Sequence, residues 1–200
     1  MNVCKALYQY TNTKTMLLPP EETAEFFDIW GKLIYFVNKV EKIVPKMKKP
    51  DDIWDANQQE ILKIRDHLFK NPAMFDKFIK ENPFKMSQDQ LNSVSDFRFA
   101  ISRSFIIYRS LKKYTVFLTM DEPCEAYGVV GFHRPIAELI NQPLPAMVET
   151  VLLPFKDKIV SDGIYSGMRL IFGPGFKKRF NLNYKVAKEV FGIVTNLKNH

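Results

Sequence analysis

Two hundred residues, 46% of them hydrophobic and 26% charged, fit one large globular domain or two small ones with a sizeable core. No apolar run reaches the roughly 18 residues of a membrane span, and the opening MNVCKALYQYTNTK lacks the continuous apolar stretch of a secretory signal. Net charge is +7 and uneven: residues 1–100 carry 15 basic and 14 acidic side chains, residues 101–200 carry 14 and 8.

In chain order, Ala6–Tyr10 reads as an edge strand or docked arm. Pro19-Pro20-Glu21-Glu22 then opens a helix that runs to Pro45. Phe26, Trp30, Leu33, Val37, Val40 and Val44 fall on one face of it, widened by Phe27 and Ile34. Lys46–Pro50 is a basic, proline-bounded linker. Asp55 and Gln58 are spaced as a capping box for a second helix through Ile61, Ile64 and Leu68. Asn71-Pro72 starts a third, with Met74, Phe75, Phe78 and Ile79, which stops at Asn82-Pro83. Ser87 and Gln90 open a fourth through Leu91, Val94, Phe97 and Ile101.

Near residue 100 the pattern changes. Ser104–Arg109 and Tyr114–Thr119 are rich in β-branched and aromatic residues around a turn holding Lys112 and Lys113, which predicts a hairpin. Ala126–Phe132 follows as a third strand, with Gly128 and Gly131 marking a bulge or bend. Pro135–Ile140 is a short helix. Val148–Phe172 reads as three strands with turns at Lys156-Asp157 and Ser166-Gly167. A last helix is expected from Asn181, with Leu182, Val186, Val190 and Phe191 inward and Gly192 as its C-cap.

The fold class is α+β: a helical subdomain over residues 1–100, then an antiparallel β subdomain with a C-terminal helix over 101–200. The two share one core or form two. Strand, strand, strand, short helix, strand, strand is the order of an OB-like barrel, with an SH3-like barrel or an open curled sheet as alternatives.

Site motifs are sparse. His67, His133 and His200 have no second ligand at metal spacing, and there is no CxxC pair or GxSxG. No cofactor, metal or catalytic residue is assigned. Cys4 and Cys124 read as free thiols of a reducing cytosol. The acids beside Cys124 in EPCEAYG should raise its pKa. Asp157, Asp162 and Glu149 are explained by turns and a bulge as readily as by acid–base work. Gly173-Pro174-Gly175-Phe176-Lys177-Lys178-Arg179 leaves a strand, enters a helix and carries three cations, a layout that suits phosphate. With Lys112, Lys113, Tyr165, Arg169 and Phe176 it makes a candidate anion- or nucleic-acid-binding set, cations for the backbone and rings for the bases.

At LLPFKDKIVSDGIY the chain resembles bacterial proteins of an uncharacterised family with an LPF–hairpin–DG segment, over the C-terminal half from about Phe105. The resemblance implies a bacterial cytoplasmic setting and says nothing about an activity. The expectation is therefore a non-catalytic binding protein whose basic half meets RNA, DNA or an acidic protein, away from membranes. The alternatives are an assembly module using the aromatic first helix or a sheet edge, and an enzyme built from dispersed residues.

Overall fold

The structure, a computed structural model, describes residues 17–140, 142–167 and 170–199. The arm at Ala6–Tyr10, Cys4, Arg169 and His200 lie outside the described residues.

Four helices come first. Pro20–Glu41 (α1) begins as expected, with Pro20 in its first turn beside Glu21 and Glu22. It ends before Pro45, because Lys42 turns left-handed at φ 56°. The Asn38 side chain fixes that turn, accepting the Val44 N–H at 2.7 Å and donating to the Val44 carbonyl at 2.9 Å. Gln58–Lys70 (α2) is opened by Asn57 and Glu60 instead of Asp55 and Gln58. A 3-10 turn at Pro50–Ile53 takes up the preceding chain, held by the Asp52 carboxylate on the Lys48 and Lys49 N–H groups. Asn71, the expected cap of Ala73–Glu81 (α3), instead donates its side-chain N–H to the His67 carbonyl and so closes the end of α2. Gln88–Asp96 (α4) carries the expected Ser87–Gln90 capping box.

The strands are Ile101–Ser110 (β1), Thr115–Thr119 (β2), Ala126–Val129 (β3), Ala146–Phe155 (β4) and Lys158–Ser161 (β5), with the short helix Ile136–Leu139 (α5) between β3 and β4. They pair in the order β1-β2-β3-β5-β4, and β4 returns to β1, so the sheet closes. A register shift between Ile107 and Arg109 lets the long β1 bend, pairing with β4 along Ile101–Ile107 and with β2 along Phe105–Ser110. The contact of β3 with β5 is brief, Val129 against Ile159. Val194 adds to β3 there, accepting the Gly128 N–H at 2.8 Å and donating to the Ala126 carbonyl at 2.9 Å.

Among its described residues Val148–Phe172 holds two strands, and Met168 and Arg169 of the expected third lie outside the described residues. After β5 the described chain stays beside β4 through the Asp162 N–H on the Val151 carbonyl at 3.0 Å, the Thr150 hydroxyl on the Ile164 carbonyl at 2.8 Å and the bridge of Glu149 with Ser166. Asp162 is drawn inward to the Arg65 guanidinium and Gly163 takes φ 81°, so strand geometry is lost. The last helix, Pro174–Val190 (α6), starts at the Gly173 cap, eight residues before Asn181. Asn181 lies mid-helix and accepts the Tyr108 hydroxyl at 2.9 Å. Leu182, Val186 and Val190 face outward at 61%, 46% and 64% exposure, and Phe191 is also exposed. Phe180, Tyr184 and Ala187 take the inner face instead. The helix carries two apolar stripes, and only this one meets the barrel's outer face at Ile106, Val116, Leu118 and Ala126.

Three apolar clusters result. Phe105, Ile107, Phe117, Tyr127, Val129 and Ile159 fill the interior of the closed sheet. α6 covers one outer face. On the other, Val151, Leu153, Phe155 and Val160 join the helices in one continuous cluster with Phe26, Trp30 and Phe97.

Cys124 is buried, its sulfur 3.3 Å from the Thr119 carbonyl. Burial does most to push its thiol up, and Glu125 and Asp121 add to it. In a Cys4→Ser background the native protein should react with iodoacetamide at least about tenfold more slowly than the denatured chain. A native rate within about twofold of the denatured one would show the thiol to be open.

Candidate nucleic-acid interface

α6 runs over the barrel with five cations, Lys177, Lys178, Arg179, Lys185 and Lys188, against one acid, Glu189. Lys177, Asn181, Tyr184 and Lys188 recur at i, i+4, i+7 and i+11 and so share one side of the helix, over roughly 16 Å. That side leans on the end of β1. Tyr108 donates to Asn181, and the Arg109 guanidinium sits 4.3 Å over the Tyr108 ring and 5.1 Å over the Tyr184 ring.

The chain leaves β1 into the turn at residues 111–114, where Leu111 and Tyr114 pack against the same cluster as Tyr184. Gly128 makes this possible: a Cβ there would lie 2.8 Å from the Tyr114 ring. The turn therefore brings exposed Lys112 and Lys113 beside the Tyr184 side of α6. Among the described residues, Lys112, Lys113, Lys177, Lys178, Lys185 and Lys188 form no ion pair with the protein's own carboxylates.

The remaining expected residues divide. Arg179 pairs with Glu122 at 2.9 Å. Phe176 is 56% exposed at the start of α6, its ring 5.8 Å from Phe172 and 6.2 Å from Phe180. Tyr165 is not with them. Its ring packs against the barrel interior and its hydroxyl meets the Ser161 hydroxyl, because the chain after β5 turns inward behind Asp162. Arg169 lies outside the described residues. Lys185 and Lys188 are the additions. Their register with Lys177 shows only when the helix is started at Pro174, the proline-first-turn signal that a start at Asn181 passes over.

The carboxylates weighed for acid–base work have three separate settings. Asp157 is in the exposed β4–β5 turn and is held low by Lys158. Glu149 is exposed on β4. Asp162 is buried against Arg65, Thr150 and the Ile164 N–H. Phe26, Trp30 and Leu33, the stripe that could have met a partner helix, are inside the core. Among the described residues no group of three or more His, Cys, Asp or Glu side chains is placed to hold a metal ion, and no helix is long and apolar enough to cross a membrane. Comparison with protein-family models, curated proteins and solved structures finds no match to this chain.

Proposed function

We propose that the protein is a non-catalytic binding module that takes the phosphate backbone of RNA or DNA on α6 and the β1–β2 turn. One observation carries the reading: six exposed lysines on these two neighbouring segments have no carboxylate partner among the described residues. Phosphates would replace the missing counter-charges and release bound ions.

The strand order, with α5 between β3 and β4, supports an OB-type barrel. OB barrels commonly bind on the face of strands 2 and 3. Here α6 lies over Val116, Leu118 and Ala126 of that face, so the contact surface moves outward onto the helix. Phe176 is the ring placed to stack on a base beside Lys177. The cysteine usage suits a reducing cytosol for this activity, and the resemblance at LLPFKDKIVSDGIY implies a bacterial one.

Fluorescence anisotropy with a labelled single-stranded oligonucleotide of about 20 nucleotides tests the reading. About four phosphate contacts should give a slope of log affinity against log salt near −3. Lys177→Glu with Lys188→Glu should weaken binding more than about tenfold and flatten that slope, while Lys80→Glu on α3 should leave both unchanged. Absence of binding at about 50 mM salt would end the proposal.

A further inference from the structure

We propose that a cleft between α1, the Pro50–Ile53 turn and the β3–α5 loop binds a small planar aromatic anion, a ring system carrying one carboxylate or phosphate group. The inference is independent of the oligonucleotide reading. The cleft has a volume of about 580 Å³, within the roughly 300–1,000 Å³ of small-molecule sites.

Its walls are aromatic and held in place. The Trp54 ring is 53% exposed, a large apolar surface left open on the cleft wall. It meets the Phe27 ring edge to face at 5.4 Å. Gly31 of α1 lets it come close: a Cβ there would be 3.3 Å from Trp54 Cζ2. His133 stacks on Phe27 at 6.2 Å and 16°. Trp54 and His133 thus both rest on Phe27 and leave flat surfaces of the kind a flat ring packs against.

The charge is one-sided. Arg134 lines the cleft, is exposed, and has no ion pair among the described residues. Its loop is tightly folded: a Cβ on Gly131 would stand 2.7 Å from the Arg134 carbonyl, and the Gly131 carbonyl accepts the Leu18 N–H at 2.9 Å. Asp162, the acidic residue among the described lining residues, has its side chain 0% exposed and paired with Arg65 at 2.9 Å. Among the described lining residues no acid is exposed, and the Arg134 guanidinium fork is open to take an anion.

Trp30 and Trp54 are the chain's two tryptophans and both line the cleft, so their indole N–H signals in a ¹H–¹⁵N spectrum report on it directly. The probes are 2-naphthoate, 2-naphthyl phosphate, the neutral 2-naphthylmethanol and the non-aromatic cyclohexanecarboxylate. The two aromatic anions should shift both signals with Kd below about 1 mM, and the other two should bind about tenfold more weakly. Whichever aromatic anion binds more tightly identifies the anionic group. Arg134→Ala, an exposed site whose folding the same spectrum checks, should remove the advantage of naphthoate over naphthylmethanol. Lys177→Glu with Lys188→Glu should leave naphthoate affinity unchanged. Indole signals unmoved by either aromatic anion at about 1 mM would overturn the proposal. So would naphthoate affinity within about twofold of wild type in Arg134→Ala.

Discussion

Replacing Arg65 with alanine should cost about 3–5 kcal/mol of folding stability, the range for breaking a buried ion pair from one side. Its guanidinium is 7% exposed and the Asp162 carboxylate 0%. Nη1 donates to Asp162 at 2.9 Å, while Nε and Nη2 hold Asp66 at 3.1 and 2.9 Å. The pair ties α2 to the chain just after β5, and its loss strands a carboxylate in the core.

Asp162 would keep the Ile164 N–H at 3.1 Å. The Thr150 hydroxyl lies 3.2 Å from Asp162 and 2.8 Å from the Ile164 carbonyl, and its single proton serves one acceptor at a time. Burial already pushes Asp162 above the usual carboxylate range, with Arg65 opposing that push. A carboxyl raised in the folded state favours folding while protonated, below its unfolded value of about 3.9, and loses that contribution as pH rises through the folded value. Removing Arg65 raises the folded value further, so the deficit should be larger at pH 7 than at about pH 4.

Urea unfolding of Arg65→Ala and of the double variant Arg65→Met, Asp162→Leu measures this. The double variant should recover most of the loss, apart from about 1 kcal/mol for the orphaned Ile164 N–H. A single-variant cost below about 1 kcal/mol, or equal costs for single and double, would show that the charges are not desolvated.

This ion pair was not legible in the sequence. Asp162-Gly163 reads as a local turn, and nothing local points to Arg65, 97 residues away. The same limit explains the other departures. Capping signals within three residues were readable, as at Ser87 and Gln90, but at α2 the Asp55–Gln58 spacing was read where Asn57 and Glu60, two residues on, form the box. The strand segments of the five-stranded sheet were visible from β-branched and aromatic runs. Their closure depends on the bend in β1 near Tyr108, which carries no glycine or proline mark.

On α6 the periodicity was present and ambiguous. Leu182, Val186 and Val190 form as regular a stripe as Phe180, Tyr184 and Ala187. Only the neighbouring face decides: Tyr108 offers Asn181 a hydrogen bond and Arg109 offers Tyr184 a cation, and both favour the second stripe. That choice puts Lys177 and Lys188 on the side of α6 that carries Tyr184, whose cluster includes Leu111 and Tyr114 of the β1–β2 turn. The candidate lysines were therefore readable from composition, but not their side of the helix. Tyr165 was grouped with Phe176 by nearness in the sequence, and the inward course of the chain behind Asp162 takes its ring elsewhere.

Phe26→Ala should cost a further 3–5 kcal/mol, about the usual loss for a buried phenylalanine. Phe26 is 0% exposed, and five rings surround it. Phe132 is at 4.9 Å, Phe155 at 5.3 Å, Phe27 at 5.4 Å, Phe97 at 6.0 Å and Trp30 at 6.4 Å. Phe132 follows β3 and Phe155 ends β4, so this one ring joins α1 to the barrel. The ion pair of Glu25 with Lys156 at 2.9 Å sits at the same junction but is solvent-exposed and adds little. Phe176→Ala, a change of the same chemistry at a 56% exposed site, should stay within about 0.5 kcal/mol of wild type. Because the cluster around Phe26 includes both helices and strands, the variant should lower the midpoint of a single transition seen alike by tryptophan fluorescence and far-ultraviolet circular dichroism. Trp30 and Trp54 report the helical side, and circular dichroism reports the whole chain. If fluorescence were lost early while the strand signal kept its wild-type midpoint, residues 1–100 and 101–200 would be two folding units instead of one.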